Sequence, residues 1–386
     1  MRPAARGNRL ANSGSESATV GGRRGRDERW DERWFVAKQP TQDSSQPSSA
    51  GAGVPVVRAG RLAGFDIGGT NIRAEVLGDG TARGVGVRRG DRPDTMEGIV
   101  DAICDMLAGM EEELAEPVTA LGVGCAGLVD RSGVVATSPN IPAIADFPLQ
   151  SMLIDRLRRP VAVDNDATAA LRGEMEDGAA SDVSDALLVT FGTGIGAALL
   201  LDGEIRRGAH GLAGEAGHMI VAPDGPECPC GRRGCWEQLA SGDALGRAAR
   251  EAAAAGKAPA LRGRVAGRIE ALRAEHVGEL ATAGDGVARR LLRDFASWVA
   301  LGMNNLILLV SPQVIVLGGG LCELGEVFLA PVRDALSKVF TEQGRRPPVE
   351  LRRARHGDRA GVIGAAHLAL DRLESPEWHG PSGRAR

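Results

Sequence analysis

A design that occurs twice constrains this chain more than any other feature. Gly64 to Val76, GFDIGGTNIRAEV, is an apolar stretch that turns at Gly68-Gly69 and resumes with alternating Ile72, Ala74 and Val76, the pattern of a hairpin. Ala186 to Gly203, ALLVTFGTGIGAALLLDG, repeats it around the glycine turn Gly192 to Gly196. A strand, not a helix, follows each set of glycines, which argues against a dinucleotide-binding fingerprint. Two copies imply two similar lobes, each with one turn whose backbone N–H groups can receive a phosphate. Asp66, at the end of the first strand, could face a metal-bound phosphate, and Thr193 adds a hydroxyl to the second turn. Taken singly, a Gly-Gly pair between strands is commonly just a turn.

The remaining segments read as alternating helices and strands. Thr95 to Glu113 carries Ile99, Ile103, Met106, Leu107 and Met110 at helical spacing, an amphipathic helix. Leu121 to Val129 is an apolar strand, with Cys125 as a small core residue. Thr137 to Pro142, TSPNIP, is a proline-bracketed loop displaying Asn140. A helix over Leu149 to Leu157 precedes a strand from Pro160 to Asp164, which ends in Asn165-Asp166 at the mouth of a helix from Ala167 to Glu176. A carboxylate beside an asparagine at a strand end suits work on a ligand in an α/β crevice. On local grounds a plain helix cap explains the pair better.

Further on, Trp236 to Ala255 reads as one helix with Glu237 in its first turn, and 256–286 is weakly patterned. A long helix from Ala288 to Leu309 precedes a buried strand, Val314 to Leu317, that runs into Gly318-Gly319-Gly320. Bare glycines let a flat ring approach the backbone closely, so this is a plausible seat for a purine. A helix over Glu326 to Phe340, a strand near Val349 to Leu351 and a helix over Ala360 to Leu373 close the chain.

The stretch Ala213 to Gly242 stands apart. Cys228, Cys230 and Cys235 fall within eight residues, and His218 lies ten residues before the first of them. Three thiolates and an imidazole are what a tetrahedral zinc site takes, and four protein ligands close it to water, so the metal should be structural and hold a loop. The competing account is three buried or free cysteines and a surface histidine, which clustered Cys/His spacing disfavours. The same loop carries Glu215 and Glu237, carboxylates suited to gripping a polar ligand such as a sugar by its hydroxyls.

Charge and composition exclude some classes. Residues 1–60 carry a net +4 and the rest −8, for −4 overall, so no global charge favours nucleic acid or a membrane surface. The leader, 1–60, is rich in Ser, Gly, Arg, Pro and Gln and reads as disordered; its one patterned piece is the tandem DERWDERW, Asp27 to Trp34. It lacks the apolar core of a secretory signal, and no apolar run approaches the ~20 residues of a membrane span. Cysteines used as metal ligands fit the cytosol.

DIGGT, the Asn-Asp pair, GTGIG, ExGH, CxCGxxGCxE and GGG together, in this order, resemble the ROK family of repressors, open reading frames and sugar kinases, from about Arg61 to Leu373. Within it, the segment from His210 to Gly242 is most similar to the bacterial ATP-dependent glucokinases. The resemblance implies an α/β fold of two lobes, the actin-like ATPase (ribonuclease H-like) type, with a central cleft and a zinc loop. The smaller lobe would comprise 61–170 and 360–375, the larger 171–359, with 376–386 a frayed tail. It also implies transfer of a phosphoryl group from ATP with Mg²⁺ to the 6-hydroxyl of a hexose, D-glucose above all. Asp166 would be the general base; Asn140, Asn165, Glu215, His218 and Glu237 would hold the other hydroxyls, with His218 using its second ring nitrogen toward the sugar. Asp66, Gly68, Gly69, Thr70, Asn71, Gly192, Thr193 and Gly194 would surround magnesium and phosphates, and Gly318, Gly319 and Gly320 the base. An Asp with a pKa near 3.9 is ionised at neutral pH and ready to accept a proton.

Three positions depart from the family's pattern: Asn71 where Lys is frequent, Ala197-Ala198 where glycines continue, and Ala143 to Phe147 in place of the Gly-Trp after PN. Alternatives within the family are a kinase for fructose, mannose, allose or N-acetylmannosamine, and a sugar-responsive repressor. The repressor is disfavoured because the leader lacks two periodic helices and a turn. Polyphosphate is a less favoured donor, since relatives that use it typically lack this cysteine cluster. Family members are often dimers or tetramers, so a homo-oligomer is expected.

Overall fold

Two five-stranded sheets of identical topology organise residues 60–78, 84–138, 144–340 and 347–374, which the computed structural model describes. The expected leader, including Asp27 to Trp34, the tail 376–386 and Asn140 lie outside the described residues. The first half contains β1 (Arg61–Ile67), β2 (Asn71–Leu77), β3 (Gly84–Asp91), α1 (Met96–Leu114) and β4 (Val118–Cys125). A small ribbon of β5 (Leu128–Val129) and β6 (Val135–Thr137) follows, then α2 (Leu149–Leu157), β7 (Val161–Asn165) and α3 (Asp166–Glu176). Strands run in the order β3-β2-β1-β4-β7, with β1 antiparallel to β2 and parallel to β4.

The second half repeats this. It contains β8 (Ala186–Phe191), β9 (Ile195–Leu201) and β10 (Glu204–Ile205), then α4 (Glu237–Ala240), α5 (Gly242–Ala254), α6 (Pro259–Arg264), α7 (Ala274–Thr282) and α8 (Gly286–Val310). It closes with β11 (Val314–Gly318), α9 (Glu326–Phe340), β12 (Glu350–Arg353) and α10 (Ala360–Glu374). The order β10-β9-β8-β11-β12 matches the first sheet strand for strand. Both glycine turns are hairpin turns, pairing Ile67 with Ile72 and Phe191 with Ile195.

Local chemistry sets the helix ends. Thr95 caps α1 by accepting from the Gly98 N–H, and Asp285 caps α8 by accepting from Val287 and Ala288, which satisfies otherwise orphaned donors. The single helix expected over Trp236 to Ala255 breaks at Ser241, whose backbone is extended and whose Oγ accepts from the Ala244 N–H at 3.2 Å to start α5 anew. Periodicity does not register such a cap. The strand expected over Leu121 to Val129 likewise ends at Cys125, before Gly127 at φ 140°. The weakly patterned 256–286 holds α6 and α7, short helices with few apolar anchors, Leu261 and Val277 among them.

Packing interleaves sheets and helices. Ile99, Ile103, Leu107 and Met110 of α1 join Phe65 and Val123 in the core on one face of the first sheet. Val362, Ile363, Ala366 and Ala369 of α10 cover Leu62, Leu77 and Ala120 on its other face. The approach is backbone-close: a Cβ on Gly122 would lie 1.7 Å from Ala365 O, and one on Gly364 1.6 Å from Ala169 O, so glycine is required at both points. Ala167, Ala170 and Leu171 of α3 then meet Leu188, Ala198 and Val316 of the second sheet. That sheet's far face buries Phe191 and Leu317 against Trp236, Phe295, Val299 and Phe328. This is the duplicated α/β arrangement of the actin-like ATPase fold, and α3, which begins at Asp166, touches both halves. No helix among the described residues is long and apolar enough to cross a membrane.

Candidate functional site

Parallel register places Ile67 of β1 beside Cys125 of β4, and Cys125 beside Asn165 of β7. The carboxyl ends of three neighbouring strands therefore carry Asp66, Cys125 and Asn165-Asp166 in one row, where ligands bind in open α/β sheets. Burial, followed by the charge of Asp166, pushes Asp66 up to about 6, while Arg73 pulls it back. Burial also holds Asp166 above the ordinary carboxylate range, against hydrogen bonds from Ala167 and Asn165. Asp166 is thus a stronger base than the free side chain assumed from sequence, because a buried carboxylate loses hydration. Burial, then the charges of Asp166 and Asp66, push the Cys125 thiol up to about 12, which leaves it protonated and unreactive.

Asn165 is the cap of α3. Its Oδ1 accepts from the Ala167 and Thr168 N–H groups (2.9 and 3.2 Å), and its Nδ2 donates to Gly127 O (3.1 Å). The local explanation of this residue is therefore present, and its two amide protons are engaged by Gly127 O and the Asp166 carboxylate. Sequence reasoning missed the support behind it. Asp164 is buried, accepts from the Asn165 N–H through Oδ1 and pairs through Oδ2 with Arg207 at 2.6 Å. An Asp two residues before Asp166 in VAVDND was the only available signal; its partner is 43 residues away.

The cysteine loop folds as a knot. His218 Nδ1 lies 3.7 Å from Cys228 Sγ, Cys230 and Cys235 sulfurs are 3.6 Å apart, and all four donor atoms lie within 4.8 Å of one another. A tetrahedral zinc with Zn–S of about 2.3 Å needs ligand atoms about 3.8 Å apart, so this donor set fits a metal ion. All three cysteines are free thiols; burial, then hydrogen bonds with Cys230 and Cys228, push Cys235 up to about 12. Crowded thiols of this kind are relieved by a cation.

The other imidazole nitrogen, Nε2, faces Glu215 Oε2 at 3.9 Å. Partial burial raises the Glu215 pKa; His218 opposes it, and the charges of Asp166 and Glu237 add to it. Asp66, Asp166, Glu215 and Glu237 thus lie within electrostatic reach in an unbroken series, with His218 at its edge.

At the first turn the Gly68 N–H donates to Asn71 O (2.9 Å) and Asn71 Nδ2 to Thr70 Oγ1 (2.7 Å). Two arginines not anticipated from sequence back it: Arg89 Nε donates to Asn71 Oδ1 (3.3 Å) and Arg92 Nε to Gly69 O (2.9 Å). At the second turn the Gly192 N–H donates to Gly194 O (3.0 Å), and Thr193 is exposed. Glu237 reaches this turn, accepting from the Ile195 N–H at 2.9 Å. Of the three later glycines, Gly319 (φ 83°) lies against the Phe191 backbone, where a Cβ would come within 2.7 Å, and Gly320 faces open space. The need for glycine at 319 is therefore internal packing.

Comparison with known proteins agrees with this architecture. The model of the ROK family matches residues 62–372. The glucokinase of Streptomyces coelicolor is 36% identical over 315 residues, covering 81% of this chain and 98% of that protein. The N-acetylmannosamine kinase of Citrobacter koseri is 33% identical over 306 residues, covering 79% and 97%. Among solved structures, the ROK family glucokinase from Streptomyces griseus in complex with glucose and AMPPNP superposes with a TM-score of 0.73 at 39% identity, covering 81% of this chain and all of that one.

Proposed function

Since this chain belongs to the ROK family, we propose that it transfers the γ-phosphoryl group of ATP to the 6-hydroxyl of a hexose, D-glucose first, in the cytosol. The observation that carries the reading is the convergence of Asp166, Glu215 and Glu237 beside two glycine hairpin turns and a metal-fit knot. Glucose and AMPPNP bound by the Streptomyces griseus relative support the same pair of substrates. The two lobes would divide at 61–170 with 360–375, and 171–359, so that the cleft lies between the two glycine turns.

Asp166 accepts the proton of the 6-hydroxyl as that oxygen attacks phosphorus. Its raised pKa strengthens it as a base, and α3, rooted between the sheets, fixes its position. Glu215, Glu237 and the Nε2 side of His218 take the remaining hydroxyls, with the side chains of Asn165 and Asn140. Asp66, Thr70, Thr193 and the turn amides receive the phosphates, and Gly320 offers an open backbone to the base. A divalent cation bound with the nucleotide would supply charge neutralisation at the phosphoryl group. His218, Cys228, Cys230 and Cys235 would hold a zinc ion, which would keep the wall of the hexose pocket in shape.

N-acetylmannosamine is the second acceptor to weigh, given 33% identity to a kinase for it. A coupled assay across glucose, mannose, fructose, allose and N-acetylmannosamine, with ATP and with polyphosphate, tests the reading. Highest kcat/KM is expected for glucose with ATP; no turnover of any hexose with nucleotide present would falsify it.

A further inference from the structure

Glu237 stands at a junction that a sugar ligand alone does not require. It opens α4 directly after Trp236, and Trp236 is fully buried, with Nε1 donating to Trp298 O (2.8 Å) and its ring edge-on to Phe191 at 5.8 Å. Phe191 is the last residue of β8, immediately before the second glycine turn. One aromatic contact thus fixes the distance between the start of that turn and the backbone of Glu237. Its Oε2 accepts from the Ile195 N–H at the far end of the turn (2.9 Å), and a Cβ on Gly194 would lie 2.2 Å from this oxygen. Glycine at 194 is what lets the carboxylate lie flat against the turn. A further strut is the Gly242 N–H, which donates to Gly192 O at 2.8 Å.

We propose that Glu237 is a positioning residue for the donor side of the reaction: through Oε2 it holds the Gly192–Ile195 turn in the shape that receives phosphate, while Oε1 remains for an acceptor hydroxyl. The second half of this statement rests on the hexose reading given above; the first does not. One carboxylate then touches both substrate sites. An acceptor that orders Glu237 also orders the turn, and by reciprocity a bound nucleotide favours the acceptor by the same factor.

The test separates the two halves. Binding of Mg-AMPPNP is measured by calorimetry in the full-length protein without any hexose, for the wild type, Glu237→Ala and Glu237→Gln, with metal content as the check on folding. Removing the acceptor should weaken nucleotide binding about five- to tenfold in Glu237→Ala. Glu237→Gln keeps a carbonyl oxygen for the Ile195 N–H and should stay within about twofold of wild type. A residue that serves only the hexose would leave both variants unchanged in this hexose-free measurement. No loss in either variant, or equal loss in both, overturns the proposal. Should Glu237→Ala lose metal, Gly194→Ala replaces it, since its Cβ displaces the carboxylate without touching the knot; unchanged nucleotide binding in Gly194→Ala is equally fatal. A separate glucose titration addresses the acceptor: if the wild type binds no hexose while Glu237→Ala still loses nucleotide, the hexose reading fails and the positioning role stands.

Discussion

The two glycine turns occupy the same place in two sheets of the same strand order, yet they are built differently. At the first, the strand-end residue is Asp66, raised to about 6 and opposed by Arg73, while Arg89 and Arg92 bond Asn71 and Gly69 of the turn. At the second, the corresponding position before the glycines is Thr190, whose hydroxyl accepts from the Gly196 N–H at 3.2 Å. No charge stands on that strand end. Instead the turn is braced from outside by Glu237 and Gly242, both downstream of the cysteine knot. The two turns share a place in the fold and differ in what surrounds them. The first half carries buried charge, and the second a turn held by hydrogen bonds from outside it.

The largest effect should come from the charged half. Asp166→Asn removes the proton acceptor while keeping side-chain volume, and turnover should fall by about 10²–10⁴-fold or more, with hexose affinity by calorimetry nearly unchanged. Equal loss of both would mean that Asp166 serves binding, and the division between halves breaks. Next is the knot. Cys228→Ala, at a buried ligand position, should drop metal content below one ion per chain and weaken glucose binding by about 10–100-fold. If nucleotide affinity in the same protein is untouched, the second turn does not depend on the knot.

Much of this was legible from sequence because it is local. Glycine turns between apolar runs, the Asn165 cap and the Cys/His spacing all act within a few residues, so pattern and chemistry coincide there. Helix α2 and α9 fall where periodicity puts them. What escaped depends on partners far along the chain. Arg207 reaches Asp164 across 43 residues and Glu237 reaches Ile195 across 42. Glu75, buried in β2, pairs with Arg359 just before α10, 284 residues on. Burial is also invisible to composition, which is why Asp166 looked like an ordinary carboxylate until α3 was seen to sit between sheets.

A smaller effect concerns stability. Asp66 titrates near 6 in the folded protein against 3.8 for the ordinary side chain, so the folded state binds its proton more tightly than the unfolded one. Stability from this group is therefore greatest below pH 4 and is lost as pH rises through 6. Ligand-free protein in divalent-free buffer should melt a few degrees lower at pH 7 than at pH 5 from this source. Asp66→Asn should remove that difference and raise the melting temperature at pH 7, even though it sits at the reacting end of β1. A fall in melting temperature would show that Asp66 braces the first half and is not a strained functional charge.

The smallest effect tests whether the first turn lacks a cation. The family resemblance leads one to expect Lys at position 71, which is Asn, but Arg89 already donates to Asn71 Oδ1, and Arg92 to the Gly69 carbonyl. Positive charge thus reaches this turn from β3 and the residue after it, in addition to Arg73 of β2. Asn71→Lys removes the acceptor that holds Arg89 and sets two cations side by side, so the gain of one charge is offset by displacement of another. Surface charges in water interact weakly, by about 0–1 kcal/mol, and KM for ATP should change by no more than about threefold. A tenfold or greater drop would mean that Arg89 does not supply the missing charge, and that the first turn works below the electrostatic strength its position allows.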